Sequence, residues 1–244
     1  MTDVTIQINH KSFLSPDSGA EKTVIKNLNI SLKSGEFVCL VGPSGCGKTT
    51  LLNILSGLDK KFQGSINLGQ SQTHTDIGYV FQNPRLLPWR TVKENLKLAT
   101  NATDDVLEPL LELMKLTDVQ HSYPEQLSLG MSRRVAIIRA FAIDPELLLM
   151  DEPFVSLDPP TARQVRQLLI ELWTNRPHTI LFVTHNLREA IALADRLIFL
   201  SASPMSVVAE IPVPIARKER LNETEIESFR TKIFSDYPDI ASLV

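Results

Sequence analysis

Long apolar runs are missing from these 244 residues, and cysteine nearly so, with two in the chain. No stretch approaches the roughly 20 apolar residues that carry a helix across a bilayer, so any work at a membrane needs spanning helices from other chains. Cys39 sits inside an apolar run and Cys46 inside a glycine-rich loop, which leaves no disulfide framework and no zinc-ligand spacing. A reducing, cytosolic compartment is expected. A basic excess is missing too: 25 Lys and Arg stand against 28 Asp and Glu, a formal net charge of −3, which argues against bulk attraction to nucleic acid or to an anionic membrane surface. The opening MTDVTIQINHKSFLS lacks the basic-then-apolar layout of a secretory signal. Internal repeats and low-complexity tracts are absent.

What is present is an ordinary globular mixture, 43% hydrophobic and 22% charged, in a chain long enough for one α/β domain with an inserted subdomain. Short runs of Val, Ile, Leu and Phe at 37–41, 147–150, 180–183 and 197–200 predict buried parallel strands, with helical patterns between them. Alternating Val4, Ile6, Ile8 and then Leu28, Ile30, Leu32 predict half-exposed antiparallel strands beside that core. From about 90 to 143 the pattern turns helical. Thr91 is placed to cap 92–99, and Asp104 to start the stripe Leu107, Leu110, Leu111, Met114. This stretch is expected as a helical subdomain inserted into a domain spanning 1–215. In the charged tail, 216–244, the stripe Ile226, Phe229, Ile233 with Asn222 as cap predicts a helix docked on the core, a partner site being the alternative.

Gly42-Pro43-Ser44-Gly45-Cys46-Gly47-Lys48-Thr49 matches G-x-x-x-x-G-K-[ST] in the context that its chemistry requires, a strand before and a helix after. Glycines let successive N–H groups turn inward as a nest for phosphate oxygens at a helix N-terminus. Lys48 then reaches the β- and γ-phosphates, and Thr49 sets its hydroxyl on Mg2+. The bland alternative is a glycine-rich strand-to-helix turn with a chance lysine, and the motif alone does not name a reaction. Leu147-Leu148-Leu149-Met150-Asp151 is a buried strand ending in a carboxylate that can hold the Mg2+ shell, and Glu152 beside it can orient and deprotonate an attacking water. His185 ends the next apolar run, as a γ-phosphate contact or as a satisfied polar residue.

In this order, these elements resemble the ATP-binding subunits of ABC transporters from about Val4 to about Pro214. The resemblance implies an α/β P-loop NTPase core of the RecA-like kind, with an N-terminal antiparallel β subdomain and an inserted helical subdomain. It makes Gly42–Thr49 the Walker A motif, with Thr50 following it in the nucleotide site, and Asp151-Glu152-Pro153 the Walker B with its catalytic glutamate. Gln82 in Val80-Phe81-Gln82-Asn83-Pro84 looks like the Q-loop glutamine, a catalytic and metal-side residue. Leu127-Ser128-Leu129-Gly130-Met131 stands at the signature, Ser156-Leu157-Asp158 at the D-loop and Thr184-His185 at the H-loop. The stretch 81–95 and the run 184–196 are similar to the ATPases of the nitrate, sulfonate and taurine importer group. Such proteins bind ATP and Mg2+ and dimerise head to tail. They sit on the cytoplasmic face of the cell membrane against two transmembrane permease subunits, which are served by an extracytoplasmic solute-binding protein. No nucleic acid partner is implied.

The residue types support a sandwich independently, because Ser128 precedes a helical run, 131–142, whose N–H groups and dipole suit a phosphate, and Gly130 allows close approach. The family signature is Leu-Ser-Gly-Gly-Gln, so Leu129 stands where the first glycine is usual. If that position has positive φ or meets the γ-phosphate, Leu129 strains or reshapes the contact; a sandwich through Ser128 and Gly130 with altered turnover is expected. Phe13 is the candidate for stacking on adenine, the alternative being that it packs under the loop 15–21. Two rivals lack support: a soluble ABC-type ATPase acting on DNA or ribosomes calls for a second ATPase module, a coiled-coil insertion or a basic patch, and a small-molecule kinase has no use for Ser128, Gly130 and His185.

Overall fold

A computed structural model describes residues 3–14, 19–68, 76–100, 102–220 and 222–243. Its elements run β1 (Val4–Leu14), β2 (Glu21–Leu32), β3 (Phe37–Val41), α1 (Lys48–Leu55), β4 (Gln63–Asn67) and β5 (Ile77–Val80). There follow α2 (Val92–Ala99), α3 (Asp104–Leu113), α4 (Leu129–Phe141), β6 (Leu147–Asp151), α5 (Pro159–Asn175), β7 (Thr179–Thr184), α6 (Leu187–Leu193), β8 (Arg196–Leu200), β9 (Val207–Pro212) and α7 (Glu223–Asp236). The chain divides into two compact units, one of residues 1–71 and 179–244, the other of residues 72–178.

In the first unit β3 lies between β7 and β8, parallel to both, and β9 closes the edge antiparallel to β8. Every residue of β3 and β7 is buried, as continuous apolar runs covered on both faces require. A separate antiparallel sheet places β1 between β2 and β4. Its alternation buries Val4, Ile6 and Ile8 and then breaks: the register with β4 steps from Ile8↔Gly64 to His10↔Gln63, leaving Asn9 as an extra residue. After that bulge the buried position is Lys11, because one inserted residue moves the following side chains to the other face. The tail packs as α7 on α6 and buries Ile226, Phe229 and Ile233, with Asn222 accepting from the Thr224 N–H as the cap. Arg220, almost fully buried, ties the chain leading into α7 to the Leu193 carbonyl and the Asp195 carboxylate.

In the second unit β5 and β6 pair in parallel. Thr91 and Glu94 form a reciprocal capping box on α2. The cap position of α3 is Thr103, without a side-chain bond, and Asp104 is the first helical residue, where its charge meets the helix dipole and the Lys93 and Lys97 ammoniums. Helix α4 begins at Leu129, two residues before the expected start at 131, because Ser128 caps it by accepting from the Met131 N–H at 3.2 Å. No helix among the described residues is long and apolar enough to cross a membrane.

Candidate functional site

In the first unit the strand β3 delivers the chain into the loop 42–47 and α1 takes it away. Gly45 has φ +77° and Gly47 φ +120°, and a Cβ at Gly47 would lie 2.8 Å from Val24 Cγ1, so only glycine fits that turn. Lys48 is buried and donates to the carbonyls of Gly42 at 2.8 Å and Pro43 at 2.9 Å. Its ammonium is thus already folded back across the loop that it serves. Cys46 is buried in the same loop, and burial pushes its thiol up, with Lys48 pulling the other way. The register pairs Val41 with Thr184, so the loop from Gly42 and His185 leave one carboxyl edge on adjacent strands. His185 follows directly on β7, at the strand end where the apolar run places it, and is exposed. Thr184 fixes the turn there: its hydroxyl donates to Glu189 at 2.8 Å and accepts from the Asn186 N–H at 3.0 Å.

In the second unit the pairing of Val80 with Met150 brings Gln82 and the Asp151-Glu152 pair to one carboxyl edge. Asp151 is 4% exposed, while Glu152 is half-buried with φ +44°, a left-handed backbone that costs a non-glycine residue about 1–3 kcal/mol. Burial, and then the Asp151 charge, push the Tyr79 phenol up, so it stays protonated. Asp158 caps α5 by accepting from the Thr161 N–H at 3.1 Å, and the Thr161 side chain, then that N–H, hold its carboxyl below the usual range.

Gly130 and Asp158 meet at Thr161, and Ser128 Oγ lies 4.0 Å from where a Cβ of Gly130 would stand. A Cβ added at Gly130 would lie 2.6 Å from Thr161 Cγ2, so this glycine is required by packing between α4 and α5. Leu129 is the first residue of α4 and has no positive φ, so the backbone-strain route expected for it does not operate; its side chain is 42% exposed. Phe13 stands exposed on β1, and residues 15–18 of the loop proposed to cover it lie outside the described residues.

Two residues that sequence reasoning passed over hold these loops. Arg133, buried on α4, donates to the carbonyls of Gln82 and, at 3.3 Å, Val155. Asn95, also buried, accepts from the Leu87 N–H at 2.7 Å and donates to the carbonyls of Leu87, Arg90 and Thr91. The signal for both was a polar side chain inside an apolar helical stripe. Beside Asn95 a groove of about 370 Å³ is lined by Tyr79, Phe81, Arg85, Leu98 and Arg139. Tyr79 stacks on Phe81 at 3.9 Å between centroids, and the Arg85 guanidinium lies 3.9 Å from the Phe81 centroid.

A family model described as ABC transporter matches residues 25–155. The aliphatic sulfonates import ATP-binding protein SsuB of Bacillus subtilis (strain 168) is 37% identical over 241 residues, covering 96% of this chain and 94% of that protein. The nitrate import ATP-binding protein NrtD of Synechococcus elongatus is 40% identical over 219 residues, 84% of this chain and 80% of that one. Among solved structures, a dimeric, post-hydrolysis ATP-binding cassette bound to ADP and Pi superposes with a TM-score of 0.73 at 29% identity, covering 87% of this chain and all of that one. A family match over more than half of the chain and relatives of this identity over most of its length show that this chain belongs to the ATP-binding family of ABC transporters.

Proposed function

We propose that the chain binds and hydrolyses ATP to energise an importer for nitrate, a sulfonate such as taurine, or a related small solute. The phosphate loop carries this reading: glycines at φ +77° and +120° open a nest whose lysine is already buried within it. Residues 42–50 take the triphosphate, Lys48 exchanging its loop carbonyls for phosphate oxygens, and Phe13 stacks on adenine. The hydroxyl of Thr49, the carboxylate of Asp151 and the amide oxygen of Gln82 are the hard oxygen donors that Mg2+ prefers; bound there, the ion would neutralise charge on the β- and γ-phosphates. Glu152 takes a proton from the attacking water, and His185, on the strand edge beside the loop, donates to the γ-phosphate.

Ser128 and Gly130 of a second copy complete the site, so the working form is a dimer, with Asp158 at the same α4–α5 junction lining its seam. Residues 90–143 act as the inserted helical subdomain and 216–244 as a tail on the core. Two permease subunits dock at the groove beside Gln82–Trp89, where Trp89 is 68% and Leu98 64% exposed, which holds the chain at the cytoplasmic face of the membrane. A solute-binding protein acts from the other side. Expression at native level should yield the chain co-purifying with a multi-spanning membrane protein. Purification with DNA or ribosomes, or alone with phosphotransfer to a small molecule, would overturn the transport reading.

Leu129 bears on rate. Its exposed side chain stands at the start of α4, where the partner's phosphate would approach, so Leu129→Gly should raise turnover of the assembled transporter by up to about tenfold, ~1.4 kcal/mol at the transition state. Equal or faster turnover in the parent than in the variant excludes this.

A further inference from the structure

Phe13 is 46% exposed, yet one face of its ring is occupied: the Lys11 ammonium lies 4.3 Å from the ring centroid. An exposed ring ordinarily samples several rotamers, and ordering it on binding costs affinity. Lys11 itself does not sample them. It is 3% exposed, its ammonium is 2.7 Å from Asp59 Oδ2, and it donates to the Lys61 carbonyl at 2.7 Å. Asp59 is fixed in turn, accepting from the Lys61 N–H at 2.9 Å and donating its own N–H to the carbonyl of Asn53 on α1 at 2.9 Å. The bulge at Asn9 is what gives Lys11 an inward direction, and Phe13, two residues on, shares its face. A continuous path of contacts therefore runs from the helix that follows the phosphate loop, through Asp59 and Lys11, to one face of Phe13. A second path anchors the same sheet: the register of β1 with β2 shifts between Lys11↔Ile25 and Ser12↔Thr23, and Val24, the extra residue there, packs against Gly47.

We propose that Lys11, held by Asp59, is a positioning residue for nucleotide binding: it fixes the Phe13 ring at a set place relative to the phosphate loop before the adenine stacks on it. The inference rests on the ATP-binding reading and on Phe13 as the stacking ring. Lys11 touches no nucleotide; its buried ammonium, neutralised by the Asp59 carboxylate, serves the base end of the site and not the phosphates.

The test compares two probes on the full-length chain by calorimetric titration, ATP and inorganic triphosphate, the second lacking the base. Lys11→Met keeps the apolar stem and removes the cation. It should weaken ATP binding about three- to tenfold and leave triphosphate binding within about twofold. Phe13→Ala should weaken ATP at least as much, and the double variant should be no weaker than Phe13→Ala alone, because both changes remove one contact. If Lys11→Met does not fold, Asp59→Asn, at a partly exposed side chain, decides by the same comparison. ATP binding unchanged in Lys11→Met while Phe13→Ala weakens it overturns the role of Lys11 and leaves the stacking ring standing. ATP binding unchanged in Phe13→Ala overturns the stacking ring and the proposal with it. Equal weakening of ATP and triphosphate places the effect of Lys11 on the phosphate loop and also overturns the proposal.

Discussion

Glu152→Gln should bind ATP at least as tightly as the parent and hydrolyse it about 10²–10⁴-fold more slowly, the range that a positioned general base contributes. The amide keeps the size of the carboxylate and its capacity to accept a hydrogen bond, but it does not take the proton of the attacking water. Fold is not at risk, since glutamine tolerates the left-handed backbone at φ +44° no worse than glutamate does. Removing one negative charge near the triphosphate also favours the bound state, so the variant should accumulate as an ATP-bound dimer. Single-turnover hydrolysis and light scattering with and without ATP measure the two halves. A variant that turns over within a few-fold of the parent, or that stays monomeric and active, removes Glu152 from the role of base.

The second large effect is expected at Arg133. Its guanidinium bonds to the carbonyl of Gln82 on one loop and to that of Val155 on another, so one buried side chain ties the Gln82 segment to the turn after Glu152. Burial pulls its pKa down, yet a guanidinium remains charged at any working pH. Arg133→Met keeps the stem in the apolar layer and strips the donors, which leaves those carbonyls short of partners at a cost of about 1–3 kcal/mol. A lowered urea midpoint with an unchanged slope registers that loss. Turnover should fall further than binding, by about 10–10²-fold, because loops misplaced by a fraction of an ångström still admit ATP but no longer hold the water in line. Lysine should not rescue: a single ammonium does not span two carbonyls that a planar fork reaches together. Parent-like turnover in Arg133→Met shows that the two loops keep their places without it.

Much of the core was legible beforehand because buried parallel strands are written as contiguous apolar runs. The runs at 37–41, 147–150, 180–183 and 197–200 recur as β3, β6, β7 and β8 with ends moved by at most one residue. The caps Thr91 and Asn222 were legible for a similar reason, since a cap acts on an N–H two or three residues ahead. For Leu129 the sequence left two routes open, positive φ or contact with the γ-phosphate; the Ser128 cap starts the helix early enough to give Leu129 an ordinary helical backbone, which closes the first.

The sequence by itself determined the candidate groups: Lys48 in its glycine loop, Asp151 and Glu152 behind an apolar strand, His185 after another. Each is a statement about neighbours along the chain, where spacing alone sets what a residue stands beside. Tertiary structure alone decided what holds them. Arg133 meets Gln82 across 51 residues of chain, Gly130 must lack a Cβ because Thr161 occupies the space, and Lys11 turns inward only because a bulge at Asn9 reverses the strand's alternation. Such contacts depend on packing between separate elements, which no local period encodes. The proposed reacting groups are therefore read one motif at a time, while the residues that hold the loops and strands around them become visible only where distant segments meet.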